Sequence, residues 1–452
     1  MSAEAERRLR NLNPAQEIAV DSIVEGWDSD TGEFHLPIVE GPPGTGKTYI
    51  GTLATYRYWN ENSNPEIAYL CYTHYASDRA LEGLIELGFS PNEVIRIVDR
   101  SQRIRYQNSP FSDYYIAFNT VNDLRPNDRR RLRNTPILIS TILGASKVFQ
   151  YQRQPEIIID EFSQVPPTLF FSTVSKVRAS SRHNPSGYSL LGDPNQLPYI
   201  TTQPLLRPNI GLYIMARKYY QPHELNIQYR MHPNICQTVN ALREGINAYE
   251  LISDPATTHN KTLSTMGYHW SIENCPTHFY EIIRPENTCV IINTDQLPGI
   301  DETGPGGSKY YTSEAHLAAR LAQAINQSYV NDGGKYLEPI ILTPYTAQIG
   351  VIRGYLPDHL QYNCTSIHQS QGREYPCVIV SFTRKNVEGS IGFLGQTHLK
   401  AQTYVACSRA EAKLILLLSY STFYGRGHGD FDLLIDRSTN ATFIDAERTW
   451  VD

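Results

Sequence analysis

An α/β fold in two successive halves, each a parallel sheet covered by helices on both faces, is predicted by three features of this 452-residue sequence. The length exceeds what one ordinary core fills, so more than one domain is expected. Short apolar runs alternate with helix-length segments, twice over, and that alternation builds parallel sheets buried on both faces. Finally, Gly41-Pro42-Pro43-Gly44-Thr45-Gly46-Lys47-Thr48 fits the phosphate-binding pattern G-x-x-x-x-G-K-[ST] at every position. It stands between a strand-like Leu36-Pro37-Ile38-Val39 and a helix-like run from Tyr49 to Ala54.

The elements follow in order. Pro14 suits a first helical turn, so a helix is expected over 14–25. Ile67 to Cys71 reads as a buried strand and 77–87 as a helix closing at Gly88. Residues 99–135 read as a short, polar, irregular insertion carrying Arg125 and the cluster Arg129-Arg130-Arg131-Leu132-Arg133. Strands are expected at 136–141, 156–160 and 189–193, and the Pro-rich stretch from Pro194 to Pro208 reads as a crossing between domains. The second alternation has strands at 290–293, 339–343, 378–381 and 414–418, with helices over 231–248, 312–327 and 401–411. Gly299, Gly304, Gly306 and Gly307 mark 295–308 as a mobile loop, and the polar stretch from 421 reads as a tail with little core. The expected domains are 1–205 and 206–420, followed by a tail over 421–452.

Composition narrows the function classes. Apolar residues make up 40% and charged residues 19%, the balance of a soluble globular protein. A net charge of −6 supplies no global basic field, so a polyanion would have to meet a local patch. No run of about 18 apolar residues is present to span a membrane, and Met1 to Arg8 lacks the apolar core of a signal peptide. Cys71, Cys236, Cys275, Cys289, Cys364, Cys377 and Cys407 are scattered and never in C-x-x-C spacing, so neither a zinc site nor a disulfide framework is expected. These features imply an intracellular protein, of the cytoplasm or nucleus.

The chemistry-bearing residues form a series. Glycines let several backbone N–H groups face one phosphate chain, and the following helix adds its partial positive charge. In such a loop Lys47 reaches the β- and γ-phosphates and the Thr48 hydroxyl holds Mg²⁺. Asp160-Glu161 ends an apolar strand downstream, where a magnesium carboxylate and a water-orienting base belong. Gln196, in Gly192-Asp193-Pro194-Asn195-Gln196, can touch a γ-phosphate through its amide. In Gln228-Tyr229-Arg230-Met231-His232-Pro233, Arg230 is a fork-shaped donor suited to a phosphate oxygen. Tyr229 either stacks on a nucleobase or packs in a core. Arg409, expected on a helix before the last strand, is the candidate arginine finger.

In this order the segments resemble the superfamily 1 helicases of the up-frameshift and senataxin-like, nonsense-decay type, from about Leu12 to Leu418. Leu12-Asn13-Pro14-Ala15-Gln16 looks like that family's adenine-reading motif, and Asp160-Glu161-Phe162-Ser163-Gln164 stands where the family has Asp-Glu-Ala-x-Gln. The Gln-Tyr-Arg-Met-His-Pro block is nearly a signature of the group. Thr343-Pro344-Tyr345-Thr346-Ala347-Gln348 and Gln371-Gly372-Arg373-Glu374 also match. The resemblance implies two tandem RecA-like domains with ATP and Mg²⁺ between them. It passes the family's roles to Gln16, Lys47, Thr48, Asp160, Glu161, Gln196, Tyr229, Arg230, Glu374 and Arg409. There are departures. Tyr72-Thr73-His74-Tyr75-Ala76-Ser77-Asp78 replaces a usual Pro-Ser-Asn before Ala-Val-Asp, and Ser408-Arg409-Ala410-Glu411 replaces Thr-Arg-Ala-Lys, turning a positive charge negative. With 40 residues before Gly41, the β-barrel of larger members is not expected in its usual place, and a compact monomeric core is.

The resemblance therefore implies an ATP-driven helicase or translocase on single-stranded RNA or DNA, moving 5′ to 3′. Thr73, His74, Thr141, Thr343 and Tyr345 are the candidate strand contacts, and the Arg129–Arg133 cluster is a second candidate or a solvated basic loop. The alternative is an ATPase switch, regulated by nucleic acid or a partner protein, that unwinds nothing. A small-molecule kinase is disfavoured by the second α/β half with its own arginine.

Overall fold

The computed structural model describes residues 2–27, 36–152, 155–180, 187–199, 212–395 and 401–451. It comprises two compact units. The first holds 1–194 and 198–225; the second holds 195–197 and 226–452. The expected boundary at 205/206, and residues 200–208 of the Pro-rich crossing, lie outside the described residues; the chain visits the second unit at Asn195–Leu197 and enters it again at Asn226.

In the first unit the strands are β1 (Ile38–Glu40), β2 (Ile67–Cys71), β3 (Val94–Val98), β4 (Tyr115–Ala117), β5 (Ile137–Thr141), β6 (Glu156–Asp160), β7 (Tyr188–Gly192) and β8 (His223–Glu224). Among the described residues they form one sheet in the order β4-β3-β5-β2-β6-β7-β1-β8, and every pairing is parallel. The strand leading into the phosphate loop, β1, is thus separated from the Asp160 strand, β6, by β7 alone, as in a RecA-like unit. Successive side chains on a strand point to opposite faces. Ile158 accordingly joins one core, with Val39, Tyr69, Ile139 and the helices Pro14–Trp27, Lys47–Glu61 and His74–Glu86. Ile157 and Ile159 join the other, with Leu70, Leu138, Leu132 and Phe162. Burial on both faces explains the unbroken apolar runs.

Three expectations for this unit change. Residues 99–135 are not irregular: they include edge strand β4 and a helix Pro126–Asn134 that starts on a proline and buries Leu132. The basic cluster lies on that helix, where Arg131 Nη2 donates to the carbonyls of Asp113 (2.6 Å) and Pro91 (3.2 Å) and braces the fold. The helix expected from 77 begins at His74, because the Thr73 hydroxyl caps it by accepting from Ala76 N at 3.1 Å.

The second unit's main sheet is built from β9 (Cys289–Asn293), β10 (Ile340–Thr343), β11 (Cys364–Ser366), β12 (Tyr375–Ser381), β13 (Ala410–Leu418) and β14 (Thr442–Asp445). Among the described residues its order is β11-β10-β12-β13-β9-β14, again parallel throughout. Val290 and Ile292 face the helices Thr312–Ser328 and Thr346–Tyr355, while Ile291 faces Pro233–Gly245, Ala401–Cys407 and Asp430–Arg437.

The stretch from 421 is not a coreless tail. Phe431 and Leu434 are buried, β14 pairs with β9, and Trp450 packs at 5% exposure. These apolar residues are too widely spaced to read as an element without the sheet they complete. The 295–308 segment is not a free loop either. It contributes a short hairpin with Lys309–Tyr310, and its Asp301 carboxylate accepts from Arg384 Nε (2.9 Å), Lys385 N (3.0 Å) and Asn386 Nδ2 (2.9 Å). The helix expected over 401–411 stops at Cys407, which places Arg409 in the turn before β13. All seven cysteines are free, and among the described residues no helix is long and apolar enough to cross a membrane.

Candidate nucleotide site

The carboxyl edge of the first sheet gathers the site. Cys71 is level with Thr141 on one side and Asp160 on the other, so the segments that follow β2, β5 and β6 leave from one row. Gly41 N donates to Gly192 O at 3.0 Å, holding the start of the phosphate loop against the end of β7. Gly44 (φ 83°) and Gly46 (φ 90°) are left-handed, and a Cβ at Gly41 would come within 2.5 Å of Thr45 Oγ1 and 2.7 Å of Lys47 Cγ. The loop backbone therefore needs glycine at these positions to turn tightly into the Lys47–Glu61 helix. Thr45 Oγ1 donates to Pro42 O at 2.8 Å, and Lys47 Nζ is held by the Gly41 and Pro42 carbonyls.

Gln16 is 4% exposed. Its N–H donates to Asn13 Oδ1 (3.0 Å) while its Oε1 accepts from Asn13 N (3.3 Å), a reciprocal cap at the start of its helix. Its Nε2 donates to Thr45 O at 3.2 Å. The residue expected to read adenine is thereby a brace between the Pro14–Trp27 helix and the phosphate loop.

Thr48 Oγ1 donates to Asp160 Oδ2 at 2.8 Å, and Tyr69 OH donates to the same oxygen at 3.2 Å. Burial, with the Asp160 charge next in order, pushes the Tyr69 hydroxyl pKa well up, so it stays a donor. A hydroxyl and a carboxylate oxygen side by side, after a loop of glycines, make a donor set that suits Mg²⁺, which prefers oxygen ligands and phosphate co-ligands. Asp160 Oδ1 accepts from Glu161 N at 2.8 Å. Glu161 has φ 56° and ψ 33°, a left-handed conformation that costs a non-glycine residue about 1–2 kcal/mol. Its Oε2 accepts from Thr73 Oγ1 at 3.0 Å.

The candidate strand contacts are placed unevenly. His74 follows Thr73, and its Nδ1 lies 3.0 Å from Nη2 of the fully buried Arg96. A guanidinium has no acceptor, so Nδ1 is the unprotonated nitrogen; burial and then the Arg96 charge lower the His74 pKa. Thr141 ends β5 at 8% exposure. Thr343 and Tyr345, in the second unit, are buried. Thr343 Oγ1 is 3.1 Å from Thr383 Oγ1, and the Tyr345 ring packs on Phe393 at 4.6 Å. Both face inward.

The second unit organises its own polar centre. Gln196 belongs to it, in the segment whose Leu197 is buried among Met231 and Ile235. Gln228 Oε1 accepts from both Arg230 N (2.9 Å) and Met231 N (2.7 Å), and this folds the Gln-Tyr-Arg-Met-His-Pro block; Tyr229 is half-buried. Arg230 Nε donates to Glu374 Oε2 at 2.7 Å and Nη1 to Ser408 O at 3.2 Å, so two of the candidate site residues meet. Arg409 is 1% exposed: Nε donates to Val405 O, Nη1 to Arg373 O and Nη2 to Ser408 Oγ, at 3.0, 3.1 and 3.0 Å. Glu411, the departure in charge, pairs with Lys261 at 2.7 Å, so the reversed sign has its own counter-ion.

Sequence reasoning missed three features here. Gln228 carried a signal, since a buried amide ahead of a Pro-started helix is a turn device. Thr383, with φ 75°, and the fully buried Glu314, which accepts from Ser381 Oγ and Thr383 N at 2.7 Å each, carried none.

Two family models match in series, both described as AAA domain, over residues 33–202 and 212–420. The DNA replication ATP-dependent helicase/nuclease DNA2 of Xenopus laevis is 26% identical over 435 residues, covering 90% of this chain and 37% of its own. The DNA replication ATP-dependent helicase/nuclease JHS1 of Arabidopsis thaliana is 27% identical over 433 residues, covering 91% and 29%. Regulator of nonsense transcripts 1 of Dictyostelium discoideum is 23% identical over 466 residues, covering 91% and 31%. The chain thus spans about a third of the length of these curated relatives. With both AAA domains matched in order on two parallel sheets, the chain belongs to the superfamily 1 helicases of the up-frameshift-like group.

Proposed function

We propose that this chain is an ATP hydrolase that couples hydrolysis to movement along single-stranded nucleic acid, with strand separation as the outcome. The observation that carries the reading is the Thr48–Asp160 contact beside Lys47 and Glu161, which brings four residues of phosphate-transfer chemistry to one edge of one sheet. The loop amides and the Lys47 ammonium bind the phosphate chain. Thr48 and Asp160 are assigned to Mg²⁺, which when bound neutralises charge on the β- and γ-phosphates. The Glu161 carboxylate orients the attacking water and takes up its proton. Of the second unit's arginines, Arg230 is assigned to the γ-phosphate, since its charged partner Glu374 can exchange for a phosphate oxygen.

The relatives include both a DNA replication ATP-dependent helicase/nuclease and a regulator of nonsense transcripts, so both DNA and RNA are candidate tracks. The experiment is ATP hydrolysis and displacement of a labelled strand from partial duplexes of RNA and of DNA, by the wild-type chain and by Lys47→Ala. Hydrolysis with displacement, both lost in Lys47→Ala, supports a helicase. Stimulated hydrolysis without displacement supports instead a switch that changes partners.

A further inference from the structure

We infer that Thr73 is a positioning residue for the hydrolytic step, tying the Glu161 carboxylate to the start of the His74–Glu86 helix. This rests on the reading of Glu161 as the water-orienting base. The Thr73 hydroxyl serves two groups at once: its proton goes to Glu161 Oε2 at 3.0 Å, and its oxygen accepts from Ala76 N at 3.1 Å. The two bonds together fix the hydroxyl, with the Ala76 N–H on its oxygen and the Glu161 carboxylate on its proton. The helix start is itself anchored. Arg96, with no exposure, reaches His74 Nδ1 at 3.0 Å and Asp78 Oδ1 at 3.3 Å, and Asp78 Oδ2 accepts from Tyr106 OH at 2.8 Å. Glu161 sits in a left-handed conformation that local backbone preference opposes. Such a conformation persists where surrounding contacts over-determine it, and Asp160 Oδ1 on its N–H together with Thr73 on its carboxylate are two of them. The arrangement also joins the base to the segment where the related helicases' strand-exit motif would stand, with Thr73 where serine is usual.

The two functions of the hydroxyl can be separated by substitution. Thr73→Ser keeps both. Thr73→Val keeps the volume and removes both. Thr73→Asp keeps a good helix cap but cannot donate to Glu161 and sets a like charge beside it. The test measures kcat, KM for ATP and the pH profile of kcat for these variants, with thermal unfolding as the check on folding. Single-turnover rates in a Glu161→Gln background are compared alongside.

Thr73→Ser should remain near wild type. Thr73→Val should lose about 10–100-fold in kcat, the range for removing an outer partner of a reacting group, with KM for ATP little changed. Thr73→Asp should lose at least as much and move the acidic limb of the pH profile upward, since a like charge raises a carboxylate pKa. Thr73→Val should add little to Glu161→Gln, because coupled residues are not additive. Wild-type kcat in a folded Thr73→Val or Thr73→Asp, or full additivity with Glu161→Gln, would overturn the inference. An inactive wild-type chain, or a Glu161→Gln variant as fast as wild type, would instead remove the reading of Glu161 and the inference with it.

Discussion

Thr48 Oγ1 and Asp160 Oδ2 lie 2.8 Å apart although 112 positions separate them in the chain. The contact exists because β1 and β6 run parallel in one sheet with only β7 between them, so both carboxyl ends emerge on the same edge. A loop that binds phosphate and a strand that ends in a carboxylate become one site through topology alone.

Removing either oxygen should change the metal requirement before it changes the fold. Thr48→Ala and Asp160→Asn should each raise the Mg²⁺ concentration needed for half-maximal hydrolysis at least tenfold. Asp160→Asn keeps one oxygen as acceptor for Glu161 N and turns an amide N–H toward the Tyr69 hydroxyl, which can accept it, so its unfolding temperature should stay close to wild type. A Mg²⁺ titration of the ATPase rate, paired with a melt, checks both statements.

Glu161→Gln preserves shape and removes the base. Hydrolysis should fall by 10²-fold or more, about the contribution of a positioned general base, while ATP still binds. Equilibrium binding of a fluorescent ATP analogue with single-turnover hydrolysis separates the two. Wild-type turnover in this variant would remove Glu161 from the role.

The two arginines of the second unit should part company. Arg409→Ala removes three hydrogen bonds inside the unit, to Val405 O, Arg373 O and Ser408 Oγ, and a hydrogen bond from a charged group contributes about 1.5–3 kcal/mol. A lower unfolding temperature is its expected signature. Arg230→Ala should cost little in stability and much in rate, at the low end of the 10³–10⁵-fold range of arginine fingers. A stable Arg409→Ala that loses several powers of ten in kcat would reverse the assignment.

Glu314 makes stability depend on pH. Burial pushes its pKa up to about 7 from an ordinary 4.5, against the opposing effects of the Ser381, Thr383 and Thr294 hydrogen bonds and the Lys385 charge. Between those values the folded chain binds more protons than the unfolded one. Stability contributed by this group is therefore full below about pH 4.5, falls as pH rises to about 7, and is level above. Denaturant unfolding of wild type across that window should show the slope, and Glu314→Gln should flatten it. An unchanged slope in the variant would show that other groups set it.

Much of this was legible before folding. A complete eight-residue pattern and a strand ending in Asp160-Glu161 are local signals, and both fell where the sheet needed them. The Gln-Tyr-Arg-Met-His-Pro block was equally local. What was hidden depends on distant partners. Thr442–Asp445 is a strand only because Cys289–Asn293 offers it an edge. Asp301 pins a glycine-rich segment through residues more than 80 positions away. Arg409 reads as an arginine finger on a helix, yet the helix stops at Cys407 and the guanidinium donates to the Val405 and Arg373 carbonyls and to Ser408 Oγ. Thr343 and Tyr345 read as groove residues, and both close inward on Thr383 and Phe393.

Coupling to nucleic acid requires that ATP hydrolysis by this chain answer to a bound strand. The direct measurement is the steady-state ATPase rate of the purified chain at low salt, alone and with saturating single-stranded RNA or single-stranded DNA, with Lys47→Ala as control. The expected result is a low basal rate, strong stimulation by at least one of the two, and no activity in Lys47→Ala. A basal rate unmoved by either nucleic acid, or hydrolysis that survives Lys47→Ala, would contradict it.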